Sequence, residues 1–202
     1  MTTKESQDKL KEPFSAYGSY SYSDYLSWQV DGMVELIRGK VHKMTAAPSR
    51  KHQDISLKIS SQLFQLLTGK VCKVYEAPFD VRLPGKAKDN MDIHTVVQPD
   101  ICVICDRSKL DDAGCIGAPD LIVEILSPGN NQKDLQHKYD VYEENGVREY
   151  WIIHPEEQTL LVYTLRDERF VPSKLFTVGE KVASSCLPDF CLDLEELFDQ
   201  LD

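Results

Sequence analysis

Glu124 stands in the run Asp120-Leu-Ile-Val-Glu-Ile-Leu126, with apolar neighbours one and two residues away on either side. A strand alternates its faces, so apolar residues of both parities mean cover from both sides. A carboxylate in that setting must be protonated, paired or bound to a cation, because burying it alone is costly. Two more acidic residues interrupt strand-like segments. Asp100 follows Pro99 and opens Ile-Cys-Val-Ile-Cys105, and Glu35 lies inside Val-Glu-Leu-Ile37. If the three carboxylates meet at one sheet edge, a shared divalent ion would relieve their repulsion. Hard oxygen donors favour magnesium or manganese.

A cation of the chain's own is also available. In the helix expected over 133–145, Leu135, Tyr139 and Tyr142 recur at i, i+4 and i+7, and Lys138 flanks that inward face. From there it reaches over the end of the Glu124 strand. Lys133, five residues earlier, is turned away by about 140° and is the weaker candidate. Structural alternatives stand beside each assignment. Lys138 could instead pair with Asp134 on a solvated face, a contact of about 0.3–0.5 kcal/mol. Asp100 after Pro99 also suits a turn at a strand entry, and Glu35 could point outward from an edge strand. Glu124 resists such a reading best. His52 opens a helix, where it serves as a phosphate or proton-transfer contact or as a structural histidine.

The elements that must position these residues follow from periodicity. A short helix is expected at Ser23–Trp28 with Ser23 as its cap, then a hairpin turning at Arg38-Gly39. An amphipathic helix runs from His52 to Leu67 through Ile55, Ile59, Leu63 and Phe64 and stops at Gly69. Strand-like runs follow at 71–77, 79–83 and 95–104, and the Glu124 strand comes after a loop at 106–117. The 133–145 helix leads to a strand pair, 149–155 and 159–165, and an acidic helix ends the chain at 194–201. Hairpins outnumber βαβ crossovers, so the sheet should be mixed in a single α/β domain over 19–202, after a flexible lead-in at 1–18.

Composition narrows the classes. The chain has 202 residues, 42% hydrophobic and 28% charged, as in a folded globular protein. No run of 18 apolar residues is present and the first residues are polar, so neither a membrane helix nor an export signal is expected, and the chain reads as cytoplasmic. The six cysteines are therefore expected to be reduced and mostly buried. Cys102 and Cys105 form a C-x-x-C, but on a strand they point to opposite faces, and no second pair completes a zinc site. The net charge of −10 opposes a surface built wholly to trap nucleic acid. Locally, Arg38, Lys40, Lys43, Arg50, Lys51 and Lys58 gather between residues 38 and 58 as candidate phosphate contacts.

The order Pro99-Asp100, Glu124 in VEILSPGN, Lys138 in DLQHKYDVY and then GVREYWIIHP resembles the Uma-two-type family of restriction-endonuclease-like proteins, abundant in cyanobacteria and part of the PD-(D/E)XK nuclease superfamily. The resemblance runs from about Tyr22 to Phe198. It implies a restriction-endonuclease-like mixed β-sheet flanked by helices. By this resemblance Asp100 is the PD aspartate, Glu124 the (D/E) carboxylate, Ile125 a backbone-carbonyl metal ligand and Glu35 the early acidic residue. The usual motif lysine, two residues after the carboxylate, is replaced by Leu126, and Lys138 on the next helix takes its part. His154 stands where relatives commonly carry Asp.

The implied activity is Mg²⁺- or Mn²⁺-dependent hydrolysis of DNA phosphodiester bonds through Asp100, Glu124 and Lys138, with Glu35 as a further metal ligand. A homodimer would suit cleavage of two strands. Two other readings remain open: a catalytically silent interaction or nucleic-acid-binding module of the same fold, and a phosphohydrolase of small nucleotides. No Gly-rich phosphate loop points to an ATP-driven machine.

Overall fold

The computed structural model describes residues 18–28, 33–43, 48–87, 89–127 and 132–201. Four α-helices occur among them: α1 (Tyr22–Ser27), α2 (Arg50–Leu67), α3 (Gln132–Asn145) and α4 (Leu194–Phe198). The strands are β1 (Val34–Ile37), β2 (Lys40–Lys43), β3 (Lys73–Glu76), β4 (Val81–Arg82), β5 (Val96–Val97), β6 (Ile101–Ile104), β7 (Leu110–Asp111), β8 (Gly114–Ile116) and β9 (Leu121–Ile125). After α3 come β10 (Glu149–His154), β11 (Thr159–Arg166), β12 (Arg169–Pro172), β13 (Phe176–Thr177), β14 (Lys181–Ala183) and β15 (Cys191–Asp193). The larger sheet runs β12-β11-β10-β9-β6-β3, with β13 on β11, and the smaller runs β2-β1-β5-β4-β8-β7. In the larger sheet only β9 and β10 are parallel, joined by α3 as a βαβ unit. The fold is mixed α/β, as the pattern of hairpins implies.

Strand alternation divides the core. Val123 and Ile125 of β9, with Ile101, Val103, Trp151 and Ile153 of its neighbours, pack on Ile55, Ile59 and Leu63 of α2. The opposite parity, Ile122 with Cys102, Ile104, Tyr150 and Ile152, packs on Val141 and Tyr142 of α3 and on Val81 and Val97 of the smaller sheet. Glu124 shares the parity of Ile122, so it points towards α3.

Several elements shift from expectation for local reasons. The first helix is capped by Ser21 rather than Ser23. Ser21 Oγ accepts from the Asp24 amide and Asp24 Oδ2 accepts from the Ser21 amide, a reciprocal capping box. The single run at 95–104 splits into β5 and β6, in different sheets, where Pro99 lacks an amide donor for a ladder. The expected loop at 106–117 contains the β7–β8 hairpin. There Gly114 has φ of 128°, and a Cβ would fall 2.2 Å from the Asp80 carbonyl oxygen. The hairpin at Arg38-Gly39 forms as expected, both residues having positive φ. The lead-in expected at 1–18 lies outside the described residues except for Gly18.

The expectation of reduced cysteines fails at one pair: Cys72 and Cys105 are disulfide-bonded. The reason is strand register. Lys73 pairs with Ile104 on antiparallel β3 and β6, so the next position brings Cys72 opposite Cys105. Cys102 and Cys115 are free and buried, and Cys102 takes no part in a joint site with Cys105.

A second buried anchor ties the C-terminal segment to the larger sheet. The Glu149 side chain, 1% exposed, accepts from Ser184 Oγ at 2.6 Å and from the amides of Ser185 and Cys186. Glu149→Ala should cost about 3 kcal/mol by orphaning those donors, read as a lower urea midpoint. Reducing the disulfide should also cost about 3–4 kcal/mol of stability, from the entropy of the loop it closes, and lower the same midpoint. Cys72→Ser with Cys105→Ser should abolish the response to reductant.

Candidate active site

The ends of β6 and β9, strand β1 and helix α3 meet around one ammonium group. Lys138 Nζ lies 2.9 and 3.0 Å from the two oxygens of Glu124 and 3.0 Å from Glu35 Oε1. Lys138, Glu124 and Glu35 are 9%, 7% and 5% exposed, so these contacts operate away from bulk water. Helix geometry delivers a second donor from the same face. Tyr142, one turn after Lys138, donates its hydroxyl to Glu124 Oε1 at 2.7 Å. Its spacing marks it as an inward residue; its phenol end finds the carboxylate because a buried hydroxyl requires a partner.

Asp100 sits beside this group. Ile101 pairs with Val123, so the next ladder position sets Asp100 opposite Glu124. Asp100 Oδ2 accepts from the Ile125 amide at 2.7 Å, and Oδ1 lies 3.2 Å from His52 Nε2 at the start of α2. His52 thus enters the site through Asp100, its helix capped by Ser49, whose side chain accepts from the His52 amide. Glu35 is fixed independently by the Gln98 amide, which donates to Glu35 Oε1 at 2.8 Å. The Gln98 side chain then reaches Asp80 and the Tyr25 hydroxyl, joining α1 to the site. Gln98, Asp80 and Tyr25 carry no sequence signal: none interrupts a periodic apolar pattern.

The electrostatics are unbalanced. Glu35, Asp100 and Glu124 supply three carboxylates against one ammonium. Burial pushes the Glu124 carboxyl up to about 7, Lys138 opposes that shift, and Asp100 and Glu35 add to it. Burial would lower the Lys138 ammonium, but Glu124 and Glu35 reverse this and hold it protonated well above its ordinary range. Burial first, and then Glu124, also raises the Tyr142 phenol, keeping it a donor. Excess negative charge is thus retained even with Lys138 in place.

All five sequence-predicted side chains, Glu35, His52, Asp100, Glu124 and Lys138, fall within this connected set, with the Ile125 backbone beside Asp100. Among the described residues, no three His, Cys, Asp or Glu side chains are arranged to hold a metal ion. Lys138 stands between Glu35 and Glu124 instead. The alternative pairing of Lys138 with Asp134 falls outside the described side chains, as does the orientation of Lys133. His154 lies 3.6 Å from Glu157 and is not part of the set. The basic stretch is partly neutralised by carboxylates and partly tied to neutral carbonyls. Arg38 pairs with Glu144, Arg50 with Asp54 and Lys51 with Glu156, while Lys40 donates to the Gly18 carbonyl and Lys58 to carbonyls at the end of α4. No helix among the described residues is long and apolar enough to cross a membrane.

Comparison with known proteins gives the family and the fold of the chain. The chain is 23% identical over 159 residues to an uncharacterized protein of Synechocystis sp., spanning 77% of this chain and 80% of that one. Its fold matches a crystal structure described as "a putative nuclease belonging to DUF820" from Anabaena variabilis. The TM-score is 0.72 at 21% identity, over 90% of this chain and 98% of the other. The family described as "Uma2: Putative restriction endonuclease" matches residues 22–195, from α1 into α4. That stretch contains every residue of the charged set, and the chain is a member of the Uma2 family.

Proposed function

We propose that the protein is a Mg²⁺- or Mn²⁺-dependent endonuclease that hydrolyses phosphodiester bonds of DNA at the Asp100–Glu124–Lys138 site. The observation that carries this reading is a lysine shared by the buried carboxylates of Glu35 and Glu124, with Asp100 at the ladder position opposite Glu124. Two carboxylates and the Ile125 carbonyl form a donor set of hard oxygens, and the uncompensated negative charge around Glu124 suits a divalent cation. Asp100, Glu124 and the Ile125 carbonyl would hold it. Bound there, the ion supplies Lewis-acid polarisation of the phosphate and a more acidic water.

The remaining work falls to the chain. Lys138, protonated and donor-only, neutralises charge developing on the phosphate and orients the attacking water. Tyr142 keeps the Glu124 carboxylate turned towards α3, and Ile125 N–H keeps Asp100 aligned with the strand ends. His52, against Asp100 Oδ1, sets the orientation of that carboxylate and is placed to shuttle a proton at Nε2. Because Arg38, Arg50 and Lys51 are already matched with carboxylates, phosphate binding by one copy should be modest and salt-sensitive. A second copy would supply the second site needed to cut both strands.

The decisive experiment is cleavage of supercoiled and single-stranded DNA with Mg²⁺ or Mn²⁺. Wild type should cut, and Glu124→Ala and Lys138→Ala should each lose at least about 100-fold. Equal cleavage by all three proteins would remove the site assignment. Absence of cleavage and of metal binding would favour a silent binding module, and hydrolysis confined to free nucleotides would favour the small-substrate reading.

The same electrostatics set a pH dependence without added divalent ions. With the folded Glu124 carboxyl near 7 and its ordinary value at 4.5, the folded chain binds a proton that the unfolded chain lacks between those values. This contribution to stability is therefore lost as pH rises from about 5 to about 8. Urea midpoints should fall over that window in wild type, and Glu124→Gln should flatten the fall.

A further inference from the structure

We infer that Glu35 is a positioning residue for Lys138: it retains the ammonium when a divalent cation takes Glu124. This rests on the proposed metal-dependent reading of the site and assigns Glu35 a role other than metal ligand. The three hydrogens of Lys138 Nζ face three acceptors, the two Glu124 oxygens at 2.9 and 3.0 Å and Glu35 Oε1 at 3.0 Å. The ammonium already engages both Glu124 oxygens, so a divalent cation arriving there meets a repelling charge and competes with it for those lone pairs.

Glu35 is built to keep what Glu124 releases. Its carboxylate is held by the Gln98 amide on a buried strand, in register with β2. The Tyr142 hydroxyl stays with Glu124 rather than following Lys138. Lys138 therefore moves by less than a side-chain length, remains charged and stays beside the reacting phosphate. Without Glu35 the ammonium would have only Glu124, and the lysine would oppose entry of the ion.

Mn²⁺ binding to the full chain, measured by electron paramagnetic resonance, tests this with a double-mutant cycle. Lys138→Met should tighten Mn²⁺ binding about tenfold, because a competing charge is gone. Glu35→Gln should weaken it about tenfold in the presence of Lys138, and that loss should shrink once Lys138 is already Met. A loss undiminished in the Lys138→Met background marks Glu35 as a metal ligand and overturns the assignment. Lysine-selective NMR needs no substitution at Lys138 and decides the matter if that variant does not fold. With saturating Mg²⁺, the wild-type Lys138 ammonium should stay protected from solvent exchange and in Glu35→Gln it should not. Equal protection in both overturns the inference. Metal binding with either contrary result leaves the nuclease reading standing, whereas no Mn²⁺ binding by any variant overturns both.

Discussion

A single ammonium group shared by two buried carboxylates organises the centre of this protein. Lys138 holds Glu124 of β9 and Glu35 of β1 together, and these strands belong to different sheets. Removing one partner from such a buried set leaves uncompensated charge, at a cost of about 3–5 kcal/mol. The connection also keeps α3 in register with β9, because Tyr142 adds its hydroxyl one turn later. The cost of dehydrating these groups argues for a purpose other than stability. An apolar trio of similar volume would pack there more cheaply.

The charged set sits at strand ends rather than in strand centres. Asp100 precedes β6, Glu124 is next to last in β9, and His52 lies in the first turn of α2. The centre of the same sheet is packed on both faces by Ile59, Trp151, Tyr142 and Tyr150, all fully or almost fully covered. A rigid sheet therefore holds the charged groups at the ends of its interior strands. The division explains why one strand can be apolar at Ile122 and acidic at Glu124 on the same face. The two positions are one pleat apart, but one faces the core and the other faces Lys138.

The acidic balance of the chain takes on a local meaning in this structure. Arg38, Arg50 and Lys51 are matched with carboxylates, whereas Lys40 and Lys58 keep their charge against neutral carbonyls. The site itself holds three carboxylates against one lysine, so most of the acidic excess lies outside it. Net charge thus bears on the strength of nucleic-acid binding and leaves the chemistry of the site to its own residues.

By itself the sequence determined the parity of β9, the inward face of α3 and the positions of Glu35, Asp100, Glu124 and Lys138 along their elements. Glu124 alone breaks a period that the hydrophobic effect otherwise enforces; Glu35, Asp100 and Lys138 also fitted turn or surface readings, and their roles came from the family resemblance. The Ser21 cap, the split of β5 from β6 and the Cys72–Cys105 bond were less legible. They depend on which of several local acceptors wins, or on which strands become neighbours. Only the tertiary structure decided that Lys138 serves two carboxylates at once, that Tyr142 and the Gln98 amide complete the set, and that His52 meets Asp100. Those contacts join residues 14 to 103 positions apart, and no periodicity encodes a distance that only chain folding creates.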